Sequence, residues 1–222
     1  MIHDRRFAFV FRLFAFVFTL SGVLDAVGAF QGGIKPERLL FYTVLSNALG
    51  VILFLILVIK TGREWKGKGA FGTSGYYPSF ELVCVVDLLL TLLVYWIVLV
   101  PVSFTMYDGF TPWRLNNIVV HLITPLLCLI DYILFVDSRS LKYKYTYGVV
   151  IFPLAYVLIV PRLTSANLYY FLDYSKFGNK VFLIIFGVAI FLLILAHIFY
   201  FLNRKVQKPV IPRDQKEYKN VV

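Results

Sequence analysis

Of the 222 residues, 60% are hydrophobic and 15% charged, against roughly 45–50% and 25% in soluble domains. No water-soluble fold has room to hide that much apolar side chain, so the chain reads as an all-α integral membrane protein. The net charge of +10 would suit a nucleic-acid partner, but the basic residues lie between apolar runs, and that pattern marks membrane topology instead.

Six runs reach the roughly 20 helical residues needed to cross a hydrocarbon core of about 30 Å. They are 7–30, 39–59, 80–101, 115–136, 145–163 and 180–202. The first carries Arg12 and Asp25 and follows Arg5-Arg6. It has the charged start of a signal peptide and a weak small-residue site at Ala26-Val27-Gly28-Ala29, yet it exceeds the usual signal core of about 7–15 residues, so it is expected to remain as a helix. The second holds Thr43 and Asn47. The connector 61–78 is rich in glycine and basic residues and reads as flexible; without a GxxxxGK[ST] pattern it is no phosphate-binding loop.

The third run contains Cys84 and Asp87, and the fourth Asn117, His121, Cys128 and Asp131. The cysteines form no CxxC and read as small packing residues. Pro153 and Pro161 lie within the fifth run, where neighbouring helices must satisfy the freed carbonyls. His197 lies in the sixth. A single bundle over 1–203 and a basic, proline-containing tail over 204–222, extended or disordered, complete the organisation. No internal repeat of the kind many transporters carry is visible. With His3, His121 and His197 so far apart, neither a metal nor any other cofactor is expected.

Charge asymmetry gives the bundle a direction. Arg5, Arg6, Lys60, Arg63, Lys66, Lys68, Arg139, Lys142, Lys144 and the basic tail fall on one side. The other side has only Lys35, Arg38, Arg114, Arg162, Lys176 and Lys180. Both termini are therefore expected in the cytoplasm, with the basic segments against anionic lipid heads. At 1.5 Å per residue, Asp25, Thr43, Asn47, Asn117 and His121 then fall at one level in the outer half. Arg12, Asp87, Asp131 and His197 share a level in the inner half. The inner set reads as a mutually neutralising structural layer, with a proton relay as the alternative.

The outer set offers nucleophilic chemistry. A hydroxyl attacks a carbonyl only when a base takes its proton, and neutral imidazole suits that task near pH 7. Thr43 would be the nucleophile and His121 the base, with Asn47 or Asn117 donating to the oxyanion and Asp25 orienting the ring.

Phe41-Tyr42-Thr43-Val44-Leu45-Ser46-Asn47, Asn117-x-x-x-His121-x-x-x-Pro125 and Phe152-Pro153-Leu154-Ala155-Tyr156 together resemble the bacterial six-span Pr6Pr membrane family. That family is similar to the eukaryotic androgen-induced and androgen-dependent six-span proteins, threonine/histidine hydrolases of fatty acid esters of hydroxy fatty acids. The resemblance implies a six-helix bundle, a lipid acyl ester as substrate, Thr43 as nucleophile and His121 as base. It gives Asp25 and the inner layer no role. The eukaryotic group surrounds its histidine with further polar residues, whereas Ile118, Val119 and Val120 are apolar here. A lipid-ester hydrolase is the leading expectation; a transporter using both polar layers and a non-catalytic membrane protein are the rivals.

Overall fold

The computed structural model describes residues 2–72, 75–106, 111–137, 140–164 and 168–206. Six helices among them are long and apolar enough to cross a membrane, the architecture of a multi-pass membrane protein. They are α1 (Arg5–Ala26), α2 (Tyr42–Lys68), α3 (Pro78–Thr105), α4 (Leu115–Phe135), α5 (Tyr143–Leu163) and α6 (Lys180–Val206). No strand is formed among the described residues; one isolated bridge joins Asp4 to Phe71. An even number of crossings leaves the start of α1 and the end of α6 at the same end of the bundle, here called the terminal end.

The helix ends follow local chemistry. Asp4 caps α1 by accepting from the Arg6 and Phe7 N–H groups, and its carboxylate also takes the Arg6 guanidinium at 3.0 Å. That hydrogen bond to Arg6 holds the Asp4 carboxyl down at about 2. At its other end α1 stops at Ala26, short of the expected 30, because the chain turns at Gly28 with φ +93°. Conversely, α2 runs on to Lys68, well into the connector expected to be flexible. A Glu64–Lys68 pair at 3.6 Å and the Trp65 ring against Phe9 sustain the extra turns, and Gly69 ends them at φ +78°. The connector is further pinned by Arg5, whose guanidinium donates to the carbonyls of Gly69 and Phe71. In α5 the first turns, Tyr143–Val150, are 3-10 and the α-helix begins only at Ile151. Pro153 thus lies in the first α turn, where its missing N–H matters least. The last helix extends to Val206, past the expected start of the tail, and 207–222 lie outside the described residues.

Small residues set the packing. Ala8, Ala15, Thr19 and Gly22 are buried along α1. A Cβ on Gly22 would lie 2.5 Å from Val119 Cγ1, so α1 and α4 approach at a distance only glycine permits. Cys84 and Cys128 are free and buried among the packed side chains.

Candidate functional site

Two of the helices are locally distorted, and the distortions meet. Val94–Leu99 in α3 and Val119–Ile123 in α4 are π-helical, and each is closely followed by a proline, Pro101 and Pro125. Such bulges are common at functional sites. In α4 the Thr124 N–H donates to Val119 O, so it no longer serves Val120 O as an α-helical turn would. Pro125 has no N–H to offer the carbonyl four residues back, that of His121. Side chains from other helices take both carbonyls. Asn47 Nδ2 donates to Val120 O at 3.0 Å, and Trp96 Nε1, from the α3 bulge, donates to His121 O at 3.2 Å.

The His121 ring lies flat on Tyr95, with centroids 3.7 Å apart and planes 8° from parallel. It is 7% exposed, borders the Thr91 backbone carbonyl, and has no hydrogen-bond partner at Nδ1. Thr91 in turn shares a hydrogen bond of 2.8 Å with Ser46 of α2. Thr43 stands one turn before Asn47, whose Nδ2 also donates to Thr43 O at 2.8 Å. A single amide nitrogen therefore joins the carbonyl of Thr43 to that of the residue before His121.

The two side chains face different neighbours. Thr43 lines a cavity between α2, α3, α5 and α6 whose walls are almost wholly apolar, and His121 does not line it. Among the described residues no hydrogen bond joins Thr43 to His121; the Tyr169 phenol interacts with the Thr43 hydroxyl and with the backbone of Tyr42 and Thr43 instead. Asn47 is unsuited to the oxyanion role expected of it. Its Nδ2 is engaged by two carbonyls, and the buried Oδ1, which lacks a partner, is an acceptor. Asn117 is half-buried and makes no hydrogen bond to His121. The π turn between them widens the helix, so residues four apart no longer stack as α-helical spacing implied. Asp25 also departs from expectation. It sits in the last turn of α1, where it accepts from Gln31 Nε2 at 3.0 Å in an exposed bond. The Gly28 turn ends the helix there, and among the described residues no hydrogen bond joins Asp25 to His121.

The expected inner layer divides into three separate sites. Arg12 binds Asp131 through two bonds, Nε at 2.7 Å and Nη2 at 3.1 Å, and donates from Nη1 to Thr61 Oγ1 at 2.6 Å. Asp87 does not join them; it accepts from Tyr42 O–H at 3.1 Å, on the side of the Thr43 cavity. His197 stands apart at α5. Its Nδ1 is 2.5 Å from the Leu193 carbonyl, its Nε2 is 3.5 Å from Thr146 Oγ1, and the rings of Tyr143 and Tyr147 meet it edge-on. Counting residues fixes depth along a helix but says nothing of which neighbour a face meets.

Sequence reading missed Thr61, Glu81, Tyr95, Trp96 and Tyr169. Glu81 is buried in the first turns of α3 and accepts from the Tyr76 N–H, with Oε2 unpartnered; it is the second residue of the apolar run 80–101. Pro101 and Pro125 were the available signals for the bulges. Among the described residues no three His, Cys, Asp or Glu side chains converge in the manner of metal ligands. No family model, no curated protein and no solved structure matches the chain.

Proposed function

We propose that the protein is a membrane-embedded hydrolase of lipid esters, with Thr43 as nucleophile and His121 as base, as the resemblance to the Pr6Pr family and its threonine/histidine relatives implies. Fatty acid esters of hydroxy fatty acids are the substrate class this reading favours. A cell membrane, both termini cytoplasmic and anionic lipid heads at the basic segments belong to the same reading. The observation that carries it is the Asn47 amide bridging the carbonyls of Thr43 and Val120. It clamps the nucleophile's helix to the base's helix next to an almost wholly apolar cavity that Thr43 lines.

In the reaction Thr43 Oγ1 attacks the ester carbonyl and passes its proton to His121. The imidazolium returns that proton to the departing alkoxide, leaving an acyl-threonine. Water, deprotonated by His121, then hydrolyses the acyl-threonine and releases the fatty acid and the free hydroxyl. Catalytic hydrogen bonds are often long without substrate and tighten in the complex. Here substrate has to draw Thr43 Oγ1 from Tyr169 toward the imidazole, directly or through one water.

A second reading, a lipid-binding membrane protein that performs no hydrolysis, is favoured by the absence of His121 from the cavity lining. Release of fatty acid from a fatty acid ester of a hydroxy fatty acid, measured with purified protein in nanodiscs, separates the two. Hydrolysis predicts turnover by the wild type, a loss of about 10²–10⁴-fold in His121→Ala, background rates in Thr43→Ala, and partial retention in Thr43→Ser. Saturable ester binding without any release by the wild type would favour the second reading. A transporter predicts pH-dependent flux in proteoliposomes, which a hydrolase does not produce.

A further inference from the structure

The cavity at Thr43 is not isolated. A second cavity lies at the end of the bundle away from the termini, bounded by the end of α5, the 168–175 connector and the start of α6. Tyr156, Val157, Tyr169, Leu172 and Ile185 line both, so the two spaces meet at a common wall. Their chemistry differs. The first is apolar apart from a few hydroxyls, Thr43 among them, whereas the second adds Thr164, Asp173 and Ser175 and presents far more polar surface.

Tyr169 stands where the two meet. Its ring is held edge-on to Phe41 at 6.1 Å and against Phe171 at 5.4 Å, with Tyr156 at 6.3 Å. Tyr156 is itself fixed, because its O–H donates to Leu40 O at 2.8 Å. Burial pushes the Tyr169 phenol above its ordinary value, and the phenol oxygen interacts with the Thr43 hydroxyl and with the backbone of Tyr42 and Thr43.

We infer that the two cavities form one substrate channel and that Tyr169 divides it into an acyl chamber and a chamber for the rest of the ester. This inference rests on the hydrolase reading for the identity of the ester and not for the existence of the channel. Tyr169 is a positioning residue: its ring sets how far the carbonyl penetrates, and its phenol holds Thr43 until the ester displaces it. The fitting substrate carries a long apolar chain on the carbonyl side. On its alcohol side it carries a polar group, such as a further hydroxyl or a carboxylic acid in its protonated form, able to donate to the Asp173 carboxylate that lines the second cavity. A plain wax ester, apolar at both ends, suits the second chamber poorly.

The test uses two photoactivatable probes of one fatty acid ester of a hydroxy fatty acid. One carries a diazirine at the acyl terminus, the other in the hydroxy-acid part. Each is crosslinked to full-length Thr43→Ala protein in nanodiscs and mapped by mass spectrometry. The Thr43→Ala background makes the result independent of turnover, and competition by excess unmodified ester separates channel labelling from annular lipid. The acyl probe is expected on peptides containing Pro153 and Val188, the other on peptides containing Thr164 and Ser175. Tyr169→Ala is expected to mix the two patterns, while Tyr169→Phe keeps them apart. In the Thr43-containing protein, Tyr169→Phe should change kcat more than KM, and Tyr169→Ala should raise KM at least several-fold. Identical competable peptides from both probes, or no competable labelling, would overturn the channel even if the ester is hydrolysed. Unmixed patterns in Tyr169→Ala would overturn the dividing role. Should Tyr169→Ala not fold, Tyr169→Leu carries the same arm. Clean partition without wild-type turnover would keep the channel and reject the hydrolase.

Discussion

Two buried polar clusters, one around Arg12 and one around His121, are built in opposite ways. Toward the terminal end, Arg12 and Asp131 form a two-bond ion pair completed by Thr61, with the guanidinium also over the Phe135 ring at 5.6 Å. Around His121 several groups are unfinished: His121 Nδ1 and Asn47 Oδ1 have no partner, and two backbone carbonyls rely on side chains from neighbouring helices. Buried polar atoms are nearly always satisfied in native proteins, so each exception asks for an explanation. A charge pair satisfied on nearly every side has little left with which to bind anything. An imidazole stacked on a tyrosine with an idle nitrogen beside a bulged helix still has capacity for a ligand or a proton.

The largest effect that would break this contrast is at the ion pair. Asp131→Ala strands a buried guanidinium and is expected to cost about 3–5 kcal/mol, read as a lower unfolding midpoint in detergent. The double replacement Arg12→Met with Asp131→Leu removes both charges and is expected to recover most of that loss. Ester hydrolysis should survive in the double variant, since neither residue touches the Thr43 cavity; lost activity in a stable double variant would end the structural assignment. In the cluster around His121, Asn47→Leu leaves the Thr43 and Val120 carbonyls without their shared donor. The expected cost is about 1–3 kcal/mol, with activity falling further than stability does. Pro125→Ala returns an N–H four residues after His121 and competes with Trp96 for its carbonyl. One neutral hydrogen bond is exchanged for another, so stability should change by under roughly 1.5 kcal/mol, while the altered ring position lowers kcat. The smallest effect lies outside the membrane. The Asp4 carboxyl, lowered from 3.8 to about 2 by its bond to Arg6, supports the α1 cap above its unfolded value, and that support fades as pH falls through about 2. The Arg6 amide proton shift, followed by NMR, should titrate near 2; a midpoint near 3.8 would mean the cap is open.

Much of this architecture is written in the sequence, because crossing a membrane demands long apolar runs that composition cannot disguise. Depth was legible in part: Arg12 and Asp131 fall at one level by residue count and pair, whereas Asp87, counted to that level, meets Tyr42 at the start of α2 and not Thr61 near its end. Azimuth was not. His197 shares that counted level yet faces the α5 tyrosines, since only packing decides which helix faces meet. The π turns were hidden for a related reason. Pro101 and Pro125 mark where an α-helix loses a donor, but the bulge around His121 is held by Asn47 and Trp96 from other helices. Asp25 misled because the helix was extended through Gly28, whose left-handed backbone ends it.

The central claim is that Thr43 is a nucleophile activated by His121. Reaction of the nanodisc-embedded protein with an alkyl fluorophosphonate, followed by peptide mapping, tests it most directly. The account predicts one stoichiometric phosphonyl adduct on Thr43, absent from Thr43→Ala and formed at least a hundred-fold more slowly in folded His121→Ala. An unmodified Thr43 in the wild type, or an adduct that forms equally fast without His121, would contradict it.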